Sequence, residues 1–175
     1  MKNMLLFGIF LLAVALAIPF GGAAVKALRR APAAAAPPAP QAPTEAPQPP
    51  VPNSAILMPE ELARIIQTRG IEKPLILQIG FRLLYKEAHI PGAEYIGPAS
   101  KDESLGQLRK RVAPLARSKF IVLYCGCCPW VRCPNVKPAY EALQRMGFTR
   151  VQVLRIEQNF GTDWVQKGYP TAKGG

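Results

Sequence analysis

Histidine, acidic side chains and dispersed cysteine are what this 175-residue sequence has least of. Histidine occurs once, at His89, so a protease-like Cys–His dyad has a single place to form and little support. Asp and Glu number 11 against 22 Lys and Arg, and the resulting net charge of +11 favours anionic partners. Nucleic acid is not expected among them, because the sequence carries no recognition-helix signature, no aromatic-basic RNA motif and no zinc-finger spacing. Cysteine is missing everywhere except a nine-residue window holding Cys125, Cys127, Cys128 and Cys133. A disulfide framework scatters its cysteines to staple distant segments, so this clustering points to a chemical site.

Long apolar runs are equally few. The one present, residues 4–20 (MLLFGIFLLAVALAIPF), is at the lower limit for a spanning helix and slightly long for a signal-peptide core. Gly22, Ala23 and Ala24 resemble a signal-peptidase site, whereas Lys26, Arg29 and Arg30 are unusual flanks for a cleaved signal. Residues 1–25 are therefore expected to be a signal peptide or an N-terminal membrane anchor, and the protein to be periplasmic or membrane-anchored. Residues 26–53 follow as a Pro/Ala-rich linker, expected to be disordered, with nine prolines in the 22 residues from Ala31 to Pro52. Such a composition favours extended polyproline II, about 3.1 Å per residue, and acts as a spacer.

Residues 54–175 change character and form the expected folded domain, with 18 Lys or Arg against 10 Asp or Glu, a balance of +8. Short apolar runs alternate here with helical periodicity. MPEELARIIQTRG puts Leu62, Ile65 and Ile66 on one helical face and reads as capped by Gly70. LILQI (75–79) and residues 94–96 read as strands, SLGQLRKRVAPLA as a helix through Leu105, Leu108 and Val112, and FIVLY (120–124) as a buried strand. KPAYEALQRMGF then gives a helix with Ala139, Leu143 and Met146 inward, followed by a strand over 151–156. Strands separated by helices imply an α/β fold with a mainly parallel, doubly wound sheet. Sites in such sheets form at the carboxyl ends of strands, where Cys125 falls.

The loop CGCCPWVRCPN combines what lowers a thiol pKa: loop amides, a helix N-terminus and the cation Arg132. Amides converging on a sulfur suit a persulfide or a thiosulfonate-like group. The partners expected are a small anionic sulfur donor and a thiol or protein acceptor. Cys127, Cys128 and Cys133 are available as resolving thiols. A soft metal ion such as Cu(I) or Zn(II) on Cys125, Cys127, Cys128 and Cys133 is the alternative, although the paired Cys-x-x-Cys of ordinary zinc sites is absent. Trp130 and Pro129 shape the loop mouth, Trp130 either packing or touching substrate.

Three segments in this order resemble the rhodanese family of sulfurtransferase-like modules: HIPGAEYI from His89, FIVLYC ending at Cys125, and DWVQKGYPT from Asp163. The resemblance implies a rhodanese-like fold and a cysteine that carries sulfane sulfur as a persulfide, with no metal or organic cofactor. It places Cys125 at the nucleophile position, gives Arg132 and the amides of Gly126, Cys127 and Cys128 the role of cradling the bound group, and makes His89 structural. The sequence also departs from the family pattern. Gln78 and Gly80 stand at the usual Asp and Arg positions, and Leu84 replaces the acidic residue before Tyr85. Four residues separate Cys127 from Arg132, the commoner rhodanese spacing, against six from Cys125, so Cys127 is a second candidate nucleophile. Neither interval is the five of the related phosphatases and arsenate reductases.

Overall fold

Apolar residues alternate along the strands, and each alternate set finds its own layer of helices. This is visible in a computed structural model that describes residues 50–175. The apolar N-terminal segment (1–25) and nearly all of the linker (26–53) lie outside the described residues. Among the described residues no helix is long and apolar enough to cross a membrane.

The described residues form five strands: β1 (Ile56–Leu57), β2 (Leu75–Gln78), β3 (Glu94–Tyr95), β4 (Ile121–Tyr124) and β5 (Val151–Leu154). All neighbours pair in parallel, in the order β1-β5-β4-β2-β3. The helices between them are α1 (Pro59–Gln67), α2 (Arg82–Glu87), α3 (Asp102–Val112) and α4 (Val136–Arg145). Leu77, Ile121, Leu123 and Val153 pack toward Leu105, Leu108 and Val112 of α3 and Ala139 and Leu143 of α4. Ile76, Val122, Tyr124 and Leu154 face the opposite layer, with Leu62 of α1, Tyr85 of α2 and Trp164. A strand buried on both faces reads as a continuous apolar run, as β4 does with all four residues buried. The expected parallel, doubly wound α/β sheet is thus present.

Local departures have local causes. Helix α1 stops at Gln67, and the Thr68 hydroxyl closes it by donating to the Arg64 carbonyl at 2.8 Å, so Gly70 is not its cap. Gly70, at φ +77°, instead turns the chain toward β2. Strand β1 has only two residues and no alternation to announce it, yet its pairing with β5 completes the sheet edge. Helix α2 follows β2 with Leu83 and Leu84 exposed, a pattern that apolar periodicity alone does not identify.

Candidate active site: the cysteine loop

Register brings the carboxyl ends of β2 and β4 level: Gln78 pairs with Tyr124, and the Ile79 amide donates to the Tyr124 carbonyl at 2.9 Å. Cys125 is the next residue and is 5 % exposed. Gln78 bridges the two strand ends, its Nε2 donating to the Cys125 carbonyl at 3.3 Å and its Oε1 accepting from the Gly80 amide at 3.2 Å. A Cβ on Gly80 would stand 2.9 Å from that carbonyl and 3.2 Å from Cys125 Sγ. Two of the positions that depart from the family pattern therefore have a shared job: Gln78 ties the loop root to the sheet, and Gly80 leaves room for the thiol.

The chain then turns sharply. Gly126 has φ +73°, and a Cβ there would lie 2.7 Å from Phe160 Cβ. Its carbonyl accepts from the Phe160 amide at 3.0 Å, which fixes the loop to the segment after β5. The turn sends the next two cysteines back over the first. Cys127 Sγ lies 2.8 Å from Cys125 Sγ and 3.3 Å from Cys128 Sγ. The sulfurs of Cys125, Cys127 and Cys128 all fall within 4.8 Å of one another. Among the described residues the Cys127 and Cys128 amides donate to no acceptor. Loop amides without an acceptor are the groups that a bound anion would draw on.

Asn135, just before α4, is a site residue that the sequence reading missed. Its side chain is 1 % exposed and does not cap the helix. Nδ2 donates to Cys125 Sγ at 3.2 Å and more distantly to Cys127 Sγ at 3.7 Å, while Oδ1 accepts from the Ser100 amide at 2.9 Å. The only signal in the sequence was an Asn at a helix start, which ordinarily means an N-cap.

The thiols set one another's ionisation. The neighbouring Cys125 and then Cys127 thiols lower the pKa of Cys133 below the ordinary thiol value, against the effect of its own burial. Cys125 is pushed far up by its contact with Cys127, then by Cys133 and by burial. Contact with Cys125 pulls Cys127 down, but Cys133 and burial outweigh it and leave Cys127 at about 12. Burial and then Cys133 bring Cys128 to about 12. Arg132 is among the causes of none of these shifts.

The loop residues end up on different surfaces. Cys127 and Gly126 line a cleft of about 290 Å³ with Leu84, Glu87, Phe160 and Val165. Trp130 is 3 % exposed and touches a small void shared by Cys125, Cys128 and Cys133, its amide donating to the Glu157 carbonyl at 3.1 Å. Arg132 is exposed and lines a separate groove with Cys133. His89 is occupied elsewhere. Its ring stacks on Tyr85 at 4.0 Å with Nδ1 2.8 Å from the Tyr85 carbonyl, and its backbone exchanges two hydrogen bonds with Ala172.

A cysteine-bearing turn at the carboxyl edge of a parallel five-stranded sheet defines a class of thiol-carrying α/β domains. Within it, the family model for the rhodanese-like domain matches residues 58–155, and the chain belongs to that family. Solved structures agree on the fold. The Alr3790 protein from Anabaena sp. superposes with a TM-score of 0.52 at 22 % identity, covering 67 % of this chain and 92 % of that one. The BH2092 protein from Bacillus halodurans gives 0.53 at 24 % identity, covering 69 % and 77 %. No curated protein matches the chain.

Proposed function

We propose that the cysteine loop is a sulfur-handling centre of the sulfurtransferase type, in which a cysteine takes up sulfane sulfur as a persulfide and yields it to a thiol. The observation that carries this reading is the placement of Cys127: its sulfur opens on a cleft and lies 2.8 Å from Cys125 at the end of β4. A cysteine thiolate attacks the outer sulfur of a thiosulfate- or persulfide-type donor. A new S–S bond forms, the donor's S–S bond breaks, and the leaving group departs with the electron pair. An acceptor thiolate then attacks the terminal sulfur, and the loop cysteine recovers its thiolate with no net oxidation of the protein. Cys125 and Cys127 are the candidate nucleophiles, with Cys127 favoured for delivery because it alone of the four faces the cleft. Cys128 and Cys133 are the resolving thiols. The amides of Gly126, Cys127 and Cys128 surround the terminal sulfur, and Trp130 closes the inner wall. No metal or organic cofactor enters this chemistry, and nucleic acid has no part in it.

The test is thiocyanate production from thiosulfate and cyanide by the reduced chain. Turnover that disappears when Cys125 and Cys127 are both serine supports the reading, and turnover that survives the double change sinks it.

A second reading is favoured by three sulfurs within 4.8 Å: capture of a soft metal ion such as Cu(I) by Cys125, Cys127 and Cys128, with Cys133 as a further ligand. Native mass analysis of the reduced chain with Cu(I) decides it, since a bound ion that blocks sulfur uptake would make metal the occupant.

Residues 1–25 as a signal or membrane anchor and residues 26–53 as a spacer would place this domain at the outer face of a membrane. Cell fractionation with and without residues 1–25 checks that placement.

A further inference from the structure

The two nearest sulfurs at the end of β4 share a position but differ in access. Cys125 is 5 % exposed and sits at the root of the loop, whereas Cys127 is half-buried and is the one cysteine of the four that lines the cleft. All four cysteines are free, and the Cys125 and Cys127 sulfurs stand 2.8 Å apart. A disulfide holds its sulfurs about 2.05 Å apart, so this pair closes with a movement of less than about 1 Å. The turn at Gly126, φ +73°, is what folds Cys127 back over Cys125. Cys127 and Cys128 are less suited to each other. Their sulfurs are 3.3 Å apart, and adjacent residues hold their Cα atoms about 3.8 Å apart, short of the roughly 4.4–6.8 Å that a disulfide ordinarily spans.

We propose that Cys125 and Cys127 also form a dithiol–disulfide exchange pair, in which Cys127 attacks a disulfide of uncharged thiols held in the cleft and Cys125 displaces it. Sulfur transfer leaves the oxidation state of the chain unchanged, whereas this second activity takes two electrons from it. No sulfane sulfur takes part, so it stands apart from the reading above. An accessible thiol meets the substrate first, and its buried neighbour then reaches only the bond that this attack creates. The cleft supplies the substrate class. Leu84, Ala88, Phe160 and Val165 wall it and Glu87 is its one charged side chain, so an apolar group is desolvated there and an anionic one repelled. Asn135 supports the second attack. Its Oδ1 is anchored on the Ser100 amide, its Nδ2 donates to Cys125 Sγ at 3.2 Å, and a donor on the sulfur favours the thiolate.

Electrons and protons balance. The Cys127 thiolate bonds to one sulfur of the substrate disulfide, the substrate S–S bond breaks, and the first half leaves as a thiolate with the electron pair. Cys125, its proton given up, then bonds to Cys127 Sγ, and the second half leaves in the same way. The protons of the two cysteines end on the two released thiols. The chain is oxidised by two electrons and holds a Cys125–Cys127 disulfide, the substrate is reduced by two, and a dithiol that attacks Cys127 Sγ returns the pair to its reduced state.

The experiment uses the full chain, reduced and desalted without oxygen, with bis(2-hydroxyethyl) disulfide as the probe and intact mass with fragment-ion mapping as the readout. The wild-type chain is expected to lose two hydrogens, release two equivalents of 2-mercaptoethanol and carry its new disulfide between Cys125 and Cys127. Cys125→Ser should stop at a mixed disulfide on Cys127 that lasts at least about a hundredfold longer than in the wild-type chain, and Cys127→Ser should slow oxidation by a similar factor. Oxidised glutathione, which is anionic, should react about tenfold more slowly than the uncharged probe at low salt. A wild-type disulfide mapped to any other pair overturns the exchange pair, and that mapping needs no variant to fold. Oxidation of Cys127→Ser at the wild-type rate overturns it too, and equal rates with the two probes overturn the substrate class. A chain that is inert to the probe yet gains sulfur from thiosulfate overturns exchange while leaving sulfur handling intact, and the converse result overturns sulfur handling alone.

Discussion

The segment around Trp164 and the loop around Cys127 are built on different contacts, and they divide the labour between them. Asp163, Trp164 and Tyr169, part of a family-like motif, hold the architecture. The Asp163 carboxylate accepts from the Gln158 and Asn159 amides at 2.6 and 3.1 Å. Trp164 is fully buried, stacks on Phe160 and donates to the Pro170 carbonyl at 2.8 Å. His89 belongs to the same group through its bridge to Ala172. The cysteine loop is held by single contacts among the Cys125, Cys127 and Cys128 sulfurs, Asn135, the strand ends and the Phe160 and Glu157 backbone. Segments that look like a family motif can therefore be scaffold, while the proposed chemistry draws on a loop that the scaffold only positions.

If that division is right, Trp164→Ala should have the largest effect on stability, about 3–5 kcal/mol, read as a loss in the denaturation midpoint. Cys127→Ser, by contrast, should leave that midpoint nearly unchanged.

Gly126→Ala joins the two regions, because it imposes a side chain at φ +73° against Phe160. It should cost about 1–3 kcal/mol and also displace the thiols, seen as slower sulfur uptake by material that remains folded.

Asn135→Ala should cost roughly 1–2 kcal/mol by leaving the Ser100 amide without its acceptor. Its larger signature is expected in reactivity. Loss of the donor to Cys125 should cut sulfur uptake about tenfold, and equal losses in stability and uptake would blur the division.

Acidity offers a further contrast. An isolated thiol loses about tenfold of its thiolate for each pH unit below its ordinary value. Contact with Cys125 pulls Cys127, the thiol favoured for delivery, down, but Cys133 and burial outweigh it and hold it at about 12, so its thiolate thins as pH falls. Sulfur uptake should accordingly fall about tenfold for each pH unit from about pH 8 to about pH 6, and a flat profile would show that a more acidic thiol receives the sulfur.

The smallest effect belongs to Arg111→Ala, far from either region's logic. Arg111 holds the Glu94 carboxyl below its usual range through contacts of 2.6 and 2.7 Å. A depressed carboxylate stabilises the fold above its ordinary range, and that contribution is lost as pH falls through the lowered value. Because the pair is well over a third exposed, the change should be about 0.5 kcal/mol at neutral pH, measured by denaturant unfolding.

Much of this was legible in the residues. The doubly wound sheet followed from FIVLY, LILQI and VQVL alternating with helical patterns, because strands buried on two faces must be apolar throughout. The carboxyl-edge position of Cys125 followed from the same order. Strand β1 was not legible, since two residues carry no period, and Asn135 was hidden behind the usual meaning of an Asn before a helix. Nor could linear spacing separate the surfaces to which Arg132 and Cys127 point. The seven residues from Gly126 to Arg132 include a positive-φ turn and a short 3₁₀ turn, Trp130–Arg132, which redirect the chain.

The central claim is that the loop carries sulfur, and intact mass of the full chain after anaerobic exposure to thiosulfate tests it most directly. The account predicts a gain of one cyanide-labile sulfur in the wild-type chain and none when all four cysteines are serine. An unchanged mass with either thiosulfate or an organic persulfide as donor would contradict it.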